Sequence, residues 1–163
     1  MASVEIVLRS MKIYPYKSVA WKTDHMKVDP GGKLYQKDPL LGYRHYTGKF
    51  RIVLHNEEVK DSLVFYATHD SSTLRITKPP EGMTDVSASR QQIWFFGDSN
   101  TYGFSVSDSD TYPWVVQEML PEYDVVNWAV SGYSNLQSLL QMQTALKEGK
   151  RAKVAVLAYA SVH

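Results

Sequence analysis

Two hydrophobic patterns divide the chain near residues 79–90. Before that point, apolar and polar positions alternate with a period of two or form short apolar runs, as strands do. These candidate strands are Val4–Leu8, Phe50–Leu54, Leu63–Tyr66 and Leu74–Ile76. Turn-forming sequences separate them at Asp29–Gly32, Thr47–Gly48, His55–Asn56 and His69–Ser72. The pattern predicts a β-rich, sandwich-like antiparallel module over residues 1–80, followed by a polar linker at 81–91.

After the linker, strands and helices alternate. Three runs are almost wholly apolar, as expected for strands buried on both faces: 93–96, 125–130 and 153–159. Pro113 and Pro121 bracket a helix over Tyr112–Leu120. Ser134 and Gln137 form a capping box for a second helix. Its predicted apolar stripe and end are Leu136, Leu139, Leu140, Leu146 and Gly149. This order predicts an α/β fold for residues 92–163, with a parallel sheet between helices.

Composition excludes several kinds of chemistry. The chain has 163 residues, no cysteine and a net charge of +1. Thiolate nucleophiles, disulfides and cysteine-based zinc sites are therefore excluded, and no metal or cofactor site is expected. Scattered basic residues give no reason to expect nucleic acid or a membrane as a partner. The first residues lack the pattern of a signal peptide, so we expect a cytoplasmic protein, or a secreted one whose leader has been removed.

A small nucleophile follows the first predicted parallel strand, in the loop Gly97–Gly103. Ligand sites of open parallel sheets lie at the carboxyl ends of strands. Ser99 in this loop can act as a nucleophile if a base takes its proton and backbone N–H groups stabilise the oxyanion. After the second strand, Gly132 offers an unobstructed N–H as a second donor. The loop also holds Asp98, which we expect to accept hydrogen bonds that hold it in shape.

The two segments together resemble a known family. FFGDSNTYG, followed about thirty residues later by VVNWAVSGYSNLQ, is similar to the first two sequence blocks of the SGNH/GDSL hydrolases. The resemblance covers residues 93 to 163 and implies a flavodoxin-like three-layer α/β/α fold. It implies Ser99 as the nucleophile of an esterase and Gly132 as an oxyanion donor. The substrates it implies are acyl or acetyl esters, often of carbohydrates or lipids.

The sequence also departs from the family pattern. Asn100 stands where many members have leucine, and the third block, at 159–163, lacks its asparagine. The terminal Asp-x-x-His block, which supplies the acid and the base, does not occur. We therefore expect the chain to be the opening part of a longer hydrolase. An alternative base is His163, because the third strand of a flavodoxin-like sheet lies beside the first.

The remaining candidate residues have structural interpretations. The other histidines are expected at the surface of the β-rich module; they are His25, His45, His55 and His69. Asp108 and Asp110 are expected to be turn or helix-start residues. If the chain is complete, the exposed edge of the strand at 154–159 favours self-association.

Two rival functions remain open. One is a non-catalytic carbohydrate-binding or interaction protein on a degenerate SGNH scaffold. Its binding face would use the module's aromatic residues, although such residues more often pack a small sheet: Tyr14, Tyr16, Trp21, Tyr35, Tyr43 and Tyr46. The other is an anion-binding flavodoxin-like domain whose Gly97–Gly103 loop cradles a phosphate. That loop contains no lysine or arginine, which argues against the second rival.

Overall fold

The computed structural model describes residues 25–56, 60–79 and 90–158. Its strands are β1 (Met26–Asp29), β2 (Tyr35–Asp38), β3 (Gly42–His45), β4 (Gly48–Asn56), β5 (Asp61–His69), β6 (Gln92–Phe96), β7 (Asp124–Asn127) and β8 (Val154–Leu157). Its helices are α1 (Ser99–Tyr102), a 3₁₀ turn (Asp108–Asp110), α2 (Tyr112–Met119) and α3 (Asn135–Lys147). The fold is mixed α/β, with antiparallel sheets and a small parallel sheet with helices. Among the described residues, no helix is long and apolar enough to cross a bilayer.

The first part of the described chain is antiparallel, as its alternation predicted. β1, β4 and β5 form one sheet, and β2 and β3 form a hairpin. Phe50, Ile52 and Leu54 of β4 are buried while Arg51 is exposed, which confirms the period of two. The turn predicted at His55–Asn56 is wrong, because both residues belong to β4. They pair with Ser62 and Asp61 of β5. The predicted strand Val4–Leu8 lies outside the described residues.

The run at residues 74–76 is not a strand of the module. Arg75 forms only isolated bridges, one to His69 at the end of β5 and one to Asn127 at the end of β7. Further along, the Thr77 hydroxyl donates to the carbonyl of Val125 at 2.7 Å, and Lys78 pairs with the Asp124 carboxylate at 2.9 Å. This segment therefore lies along the outer edge of β7. The segment covers an edge of β7 that would otherwise be open to pairing with other strands. The local sequence pattern of residues 74–76 does not indicate that they contact β7.

The parallel sheet has the order β7-β6-β8, so the third strand lies beside the first. Alternate residues of β6 face opposite sides. Ile93 and Phe95 pack with Val116 and Leu120 from α2 and the turn after it. On the other side Trp94 and Phe96 pack with Ala145 and Met142 of α3, as the unbroken apolar run predicted.

The apolar stripe predicted for α3 is wrong. Ser138, Gln141 and Ala145 are its buried residues, whereas Leu136 is 64% exposed and Leu139 and Leu146 are also exposed. The stacked rings of Phe96 and Trp128, with Trp94 against them edge-on, occupy the space beneath α3. Small and amide side chains therefore fit there better than leucines.

β8 was predicted to be buried and is exposed along its length. Its apolar side chains Val154, Val156 and Leu157 are 46%, 36% and 48% exposed. Within the described ranges β8 pairs only with β6, so its other edge has no strand partner and both of its faces are accessible. The chain thus presents an apolar edge of the kind that other strands can pair with.

The principal core of the antiparallel sheet extends beyond that sheet. It contains Ile52, Leu54 and Phe65 and also Tyr102 and Ala129, which follow β6 and β7. The antiparallel sheet therefore packs directly on the loops at the carboxyl ends of the parallel strands. The predicted boundary at 81–91 stays a prediction, since residues 80–89 lie outside the described ranges.

Two histidines expected at the surface are buried in this region. His45 and His69 are 0% and 2% exposed, and their rings stack with centroids 4.1 Å apart. His45 also stacks on Tyr102. The expectation was wrong because His45 and His69 are the last residues of β3 and β5 and both face inward. Their rings therefore lie in an aromatic cluster. Burial lowers the pKa of His69 to about 4, and burial beside His69 holds the pKa of His45 well below its usual value.

These histidines should make the protein acid-labile. Unfolded histidine binds a proton near pH 6.5, while folded His69 stays neutral down to about pH 4, so stability is complete above pH 6.5 and falls as the pH drops. The loss for His69 alone amounts to about 3 kcal/mol by pH 4. Urea unfolding at pH 7, 6 and 5 measures it. His45→Phe, which keeps a stacked ring, should flatten the pH dependence, whereas the exposed-site control His55→Phe should not. Stability that stays constant from pH 7 to 5 would contradict the prediction.

Candidate active site

The predicted nucleophile lies at the carboxyl end of β6. Ser99 is half-buried and is the first residue of α1. Asp98 caps this helix, since its carboxylate accepts from the Asn100 N–H at 2.9 Å and its carbonyl accepts from the Tyr102 N–H. Asn100 is exposed. The Asp98 side chain therefore holds the turn that presents Ser99.

Gly97 is required where β6 passes into this turn. A Cβ on Gly97 would lie 2.3 Å from the Thr101 hydroxyl oxygen and 3.1 Å from the carbonyl oxygen of Ala158. Thr101 is fully buried, so it has little freedom to move away. The loop after β6 can thus lie against the end of β8 only because residue 97 has no side chain.

The loops after β6 and β7 lie side by side. Beyond the strands, the Trp128 N–H donates to the carbonyl of Phe95 at 2.8 Å, and the Val130 N–H donates to the carbonyl of Gly97 at 3.4 Å. The buried amide of Asn127 donates to the carbonyl of Thr101 at 3.2 Å and accepts from the N–H of Ala129. Sequence reasoning gave Asn127 no role, although a polar residue inside an apolar run was a signal. These hydrogen bonds bring the Ser99 and Gly132 loops together at the carboxyl ends of β6 and β7.

Gly132 is exposed at the end of the second loop. Its φ of +84° is in the left-handed region that favours glycine, and a Cβ there would lie 2.6 Å from the Tyr43 hydroxyl oxygen. Within the described ranges the N–H groups of Gly132 and Ser99 donate to no other group. Both amides are therefore free to donate to a ligand.

A buried arginine that sequence reasoning missed holds the end of the Ser99 loop by hydrogen bonds to its carbonyls. Arg75 is 1% exposed. Its guanidinium donates to four carbonyls and to the Asp108 carboxylate at 3.0 Å; the carbonyls belong to Tyr66, Tyr102, Gly103 and Val106. Asp108 lies in the 3₁₀ turn, close to its predicted helix-start role, and also accepts from the Thr68 N–H. The only sequence signal was a charge inside the apolar run 74–76.

His45, His55 and His69 are each held within the β-rich module, away from Ser99. Both ring nitrogens of His69 are engaged, one with the carbonyl of Tyr46 at 2.9 Å and the other with the hydroxyl of Tyr102 at 3.0 Å. His45 is fully buried in the stack, and His55 pairs with the Ser62 hydroxyl on the module. The candidate base His163 lies outside the described residues. No group of three or more acidic or histidine side chains suited to a metal occurs in the part of the chain that the structure describes.

Two of the described candidates for a sugar-binding face, Tyr35 and Tyr43, pack against other tyrosine rings, within the module and in the Gly132 loop. Tyr35 meets Tyr43 edge-on with centroids 5.4 Å apart, and Tyr43 meets Tyr133 in the same way at 5.3 Å. Tyr46 is 39% exposed. The other three candidates for a sugar-binding face, Tyr14, Tyr16 and Trp21, lie outside the described residues.

A cleft of about 630 Å³ lies between the β2–β3 turn, residues 70–74 and α3. Trp128, Tyr133 and Lys150 contribute to its lining, whereas Ser99 and Gly132 do not. Val130 and Tyr133, on either side of Gly132, also line the cleft, so it adjoins the Gly132 loop without including Ser99 or Gly132.

Comparison with known proteins adds no assignment to this geometry. No protein-family model matches the chain, and no curated protein matches it at a significant level.

Proposed function

We propose that this chain carries the nucleophile and the oxyanion donors of an SGNH/GDSL-type serine hydrolase that cleaves acyl or acetyl esters. The strand order β7-β6-β8 supports the flavodoxin-like three-layer architecture, because it corresponds to the order 2-1-3 that begins such sheets. Packing of α2 on one face of β6 and α3 on the other also supports it. The alcohol part of the ester is a carbohydrate or a lipid in the family that the two motifs resemble.

One observation carries the proposal. The hydrogen bond from Val130 to Gly97 holds the Ser99 and Gly132 loops together, two residues before each of these positions. This contact supports a site in which Ser99 and the N–H groups of Ser99 and Gly132 lie at the same end of the sheet, where β6 and β7 finish. This is the arrangement that acyl transfer requires, since the attacking oxygen and the oxyanion donors must reach the same carbonyl.

The proposed reaction proceeds through an acyl-serine. Ser99 Oγ attacks the ester carbonyl carbon while a base takes the hydroxyl proton. The N–H groups of Ser99 and Gly132 stabilise the resulting oxyanion, and the alcohol leaves with the proton. Water, activated by the same base, then hydrolyses the acyl-serine and regenerates Ser99. The base comes from outside the described residues, either from His163 or from a histidine on a further segment.

Ester hydrolysis with an added base tests this proposal. Residues 1–163 are assayed on an aryl acetate with and without imidazole, beside Ser99→Ala and the exposed-serine control Ser109→Ala. We expect an imidazole-stimulated rate that Ser109→Ala retains and Ser99→Ala reduces to the background. Without imidazole the rate should be about 10⁴-fold below that of an intact serine hydrolase, because the base is missing. A rate equal in wild type and Ser99→Ala contradicts the proposal.

The same assay identifies the base. If His163 serves, hydrolysis without imidazole should already depend on Ser99, and His163→Ala should abolish it. If the base lies on a further segment, His163→Ala should have no effect.

A second candidate is a non-catalytic carbohydrate-binding protein. The observation that favours it is the cleft beside α3, together with the engaged nitrogens of His69. Calorimetric titration with an acetylated oligosaccharide distinguishes the two functions. Binding that is lost in Trp128→Ala, with no Ser99-dependent hydrolysis of the same sugar, would favour this candidate.

A further inference from the structure

The β2–β3 hairpin holds the peptide group that carries the Gly132 N–H. Tyr43 Oη donates to the carbonyl oxygen of Ser131 at 2.9 Å. That carbonyl and the N–H of Gly132 belong to the same peptide unit. In return, Tyr133 Oη donates to the backbone carbonyl of Tyr43, and the two rings meet edge to face. The hairpin therefore contacts the loop on both sides of Gly132.

Two further contacts fix the hairpin in this place. The Gln137 amide at the start of α3 donates to the carbonyl of Leu41 at 3.3 Å. The ring of Tyr35 packs edge-on against Tyr43 from within the hairpin. A tyrosine hydroxyl keeps its proton at neutral pH, and burial raises the pKa of Tyr43 further, so it remains a donor.

Peptide geometry gives this contact a consequence for the site. Because a peptide group is planar and trans, its C=O and N–H point in opposite directions. A hydrogen bond to the Ser131 carbonyl therefore fixes the direction in which the Gly132 N–H points. It also polarises the peptide, which strengthens that N–H as a donor.

We propose that Tyr43 is a positioning residue. By holding the peptide group between Ser131 and Gly132, it orients the Gly132 N–H toward the oxyanion. This inference rests on the proposed function. It gives the β-rich module a part in the reaction, since an oxyanion donor is effective only when it is oriented before the charge develops.

Tyr43→Phe tests the inference because it keeps the ring and removes only the hydroxyl. The first measurement is the rate of Ser99 acylation by an aryl acetate in residues 1–163, followed over a range of ester concentrations with imidazole present. The limiting rate should fall about tenfold, a part of the 10²–10³-fold attributed to a whole oxyanion donor. The half-saturating concentration should not change, because in this proposal Tyr43 acts on the oxyanion through the Ser131–Gly132 peptide and not on the bound ester.

The second measurement is the amide resonance of Gly132 in a ¹⁵N–¹H spectrum, which should shift in Tyr43→Phe while the melting temperature stays within about 2 °C. Tyr46→Phe, which removes an exposed hydroxyl from the same module, is the matched control and should change neither quantity. A merely structural role would lower the melting temperature and leave the limiting rate of the folded protein unchanged, and that result overturns the inference.

The results distinguish failure of the Tyr43 positioning role from failure of the proposed hydrolase function. If wild type is acylated at Ser99 and Tyr43→Phe is acylated at the same rate, the positioning role is wrong and the hydrolase proposal stands. If wild type is not acylated at Ser99, the proposed function fails and the inference fails with it.

Discussion

Replacing Arg75 with methionine is expected to lower the free energy of unfolding by about 3–5 kcal/mol, the cost of removing one partner from a buried ion pair. The substitution leaves the Asp108 carboxylate without its cation and removes the guanidinium donors from four carbonyls. Methionine preserves much of the side-chain volume, so the loss is mainly that of hydrogen bonds. Such a loss is a large part of the stability of a typical domain.

Equilibrium urea unfolding at pH 7 measures this change, with Arg51→Met as the matched control. Arg51 lies on the exposed face of β4, so the same substitution there should cost less than about 0.5 kcal/mol. If Arg75→Met costs no more than Arg51→Met, the buried guanidinium does not hold the loops together as described.

Residues 1–163, purified by themselves, are expected to self-associate. The backbone groups on the outer edge of β8 have no strand partner within the described chain, and Val154, Val156 and Leu157 are exposed beside them. Two such edges can pair with each other and bury these side chains. Light scattering after gel filtration should therefore give a mass above that of the 18.6 kDa monomer, increasing with concentration.

A charge on the edge should prevent this association. Val156→Lys places an ammonium group on β8, in the way that natural edge strands avoid pairing. Val115→Lys puts the same charge on an exposed position of α2 and should leave the association unchanged. A wild-type chain that remains monomeric at high concentration would contradict the prediction.

Local pattern was sufficient for most of the elements. Alternation predicted β4, short apolar runs predicted β5 and β6, and the capping box at Ser134 predicted the start of α3. These features depend on neighbours in sequence, which is why they could be read without a structure. The Ser99 and Gly132 positions came from two short motifs and their spacing.

Long-range packing accounts for what the sequence did not reveal. Arg75 and His69 belong to the β-rich part, yet their partners include Tyr102 and, for Arg75, Gly103, which follow β6. The leucines of α3 were assigned to the core because they are apolar, but the space beneath α3 is occupied by Trp94, Phe96 and Trp128. Tertiary packing decides which side chains from distant segments contact each other. The pattern of a single sequence does not report such contacts.

The central claim is that Ser99 is the nucleophile, and peptide mapping by mass spectrometry tests it most directly. With imidazole as the base, an aryl acetate should acylate Ser99, and the acyl-serine should remain once ester and imidazole are removed, because deacylation is slow without a base. We expect an acetyl group on the peptide containing Ser99 under conditions where exposed Ser109 stays unmodified, and we expect Ser99→Ala to lose this label. Acetylation spread over serines without preference for Ser99, or equal labelling of that peptide in Ser99→Ala, would contradict the account.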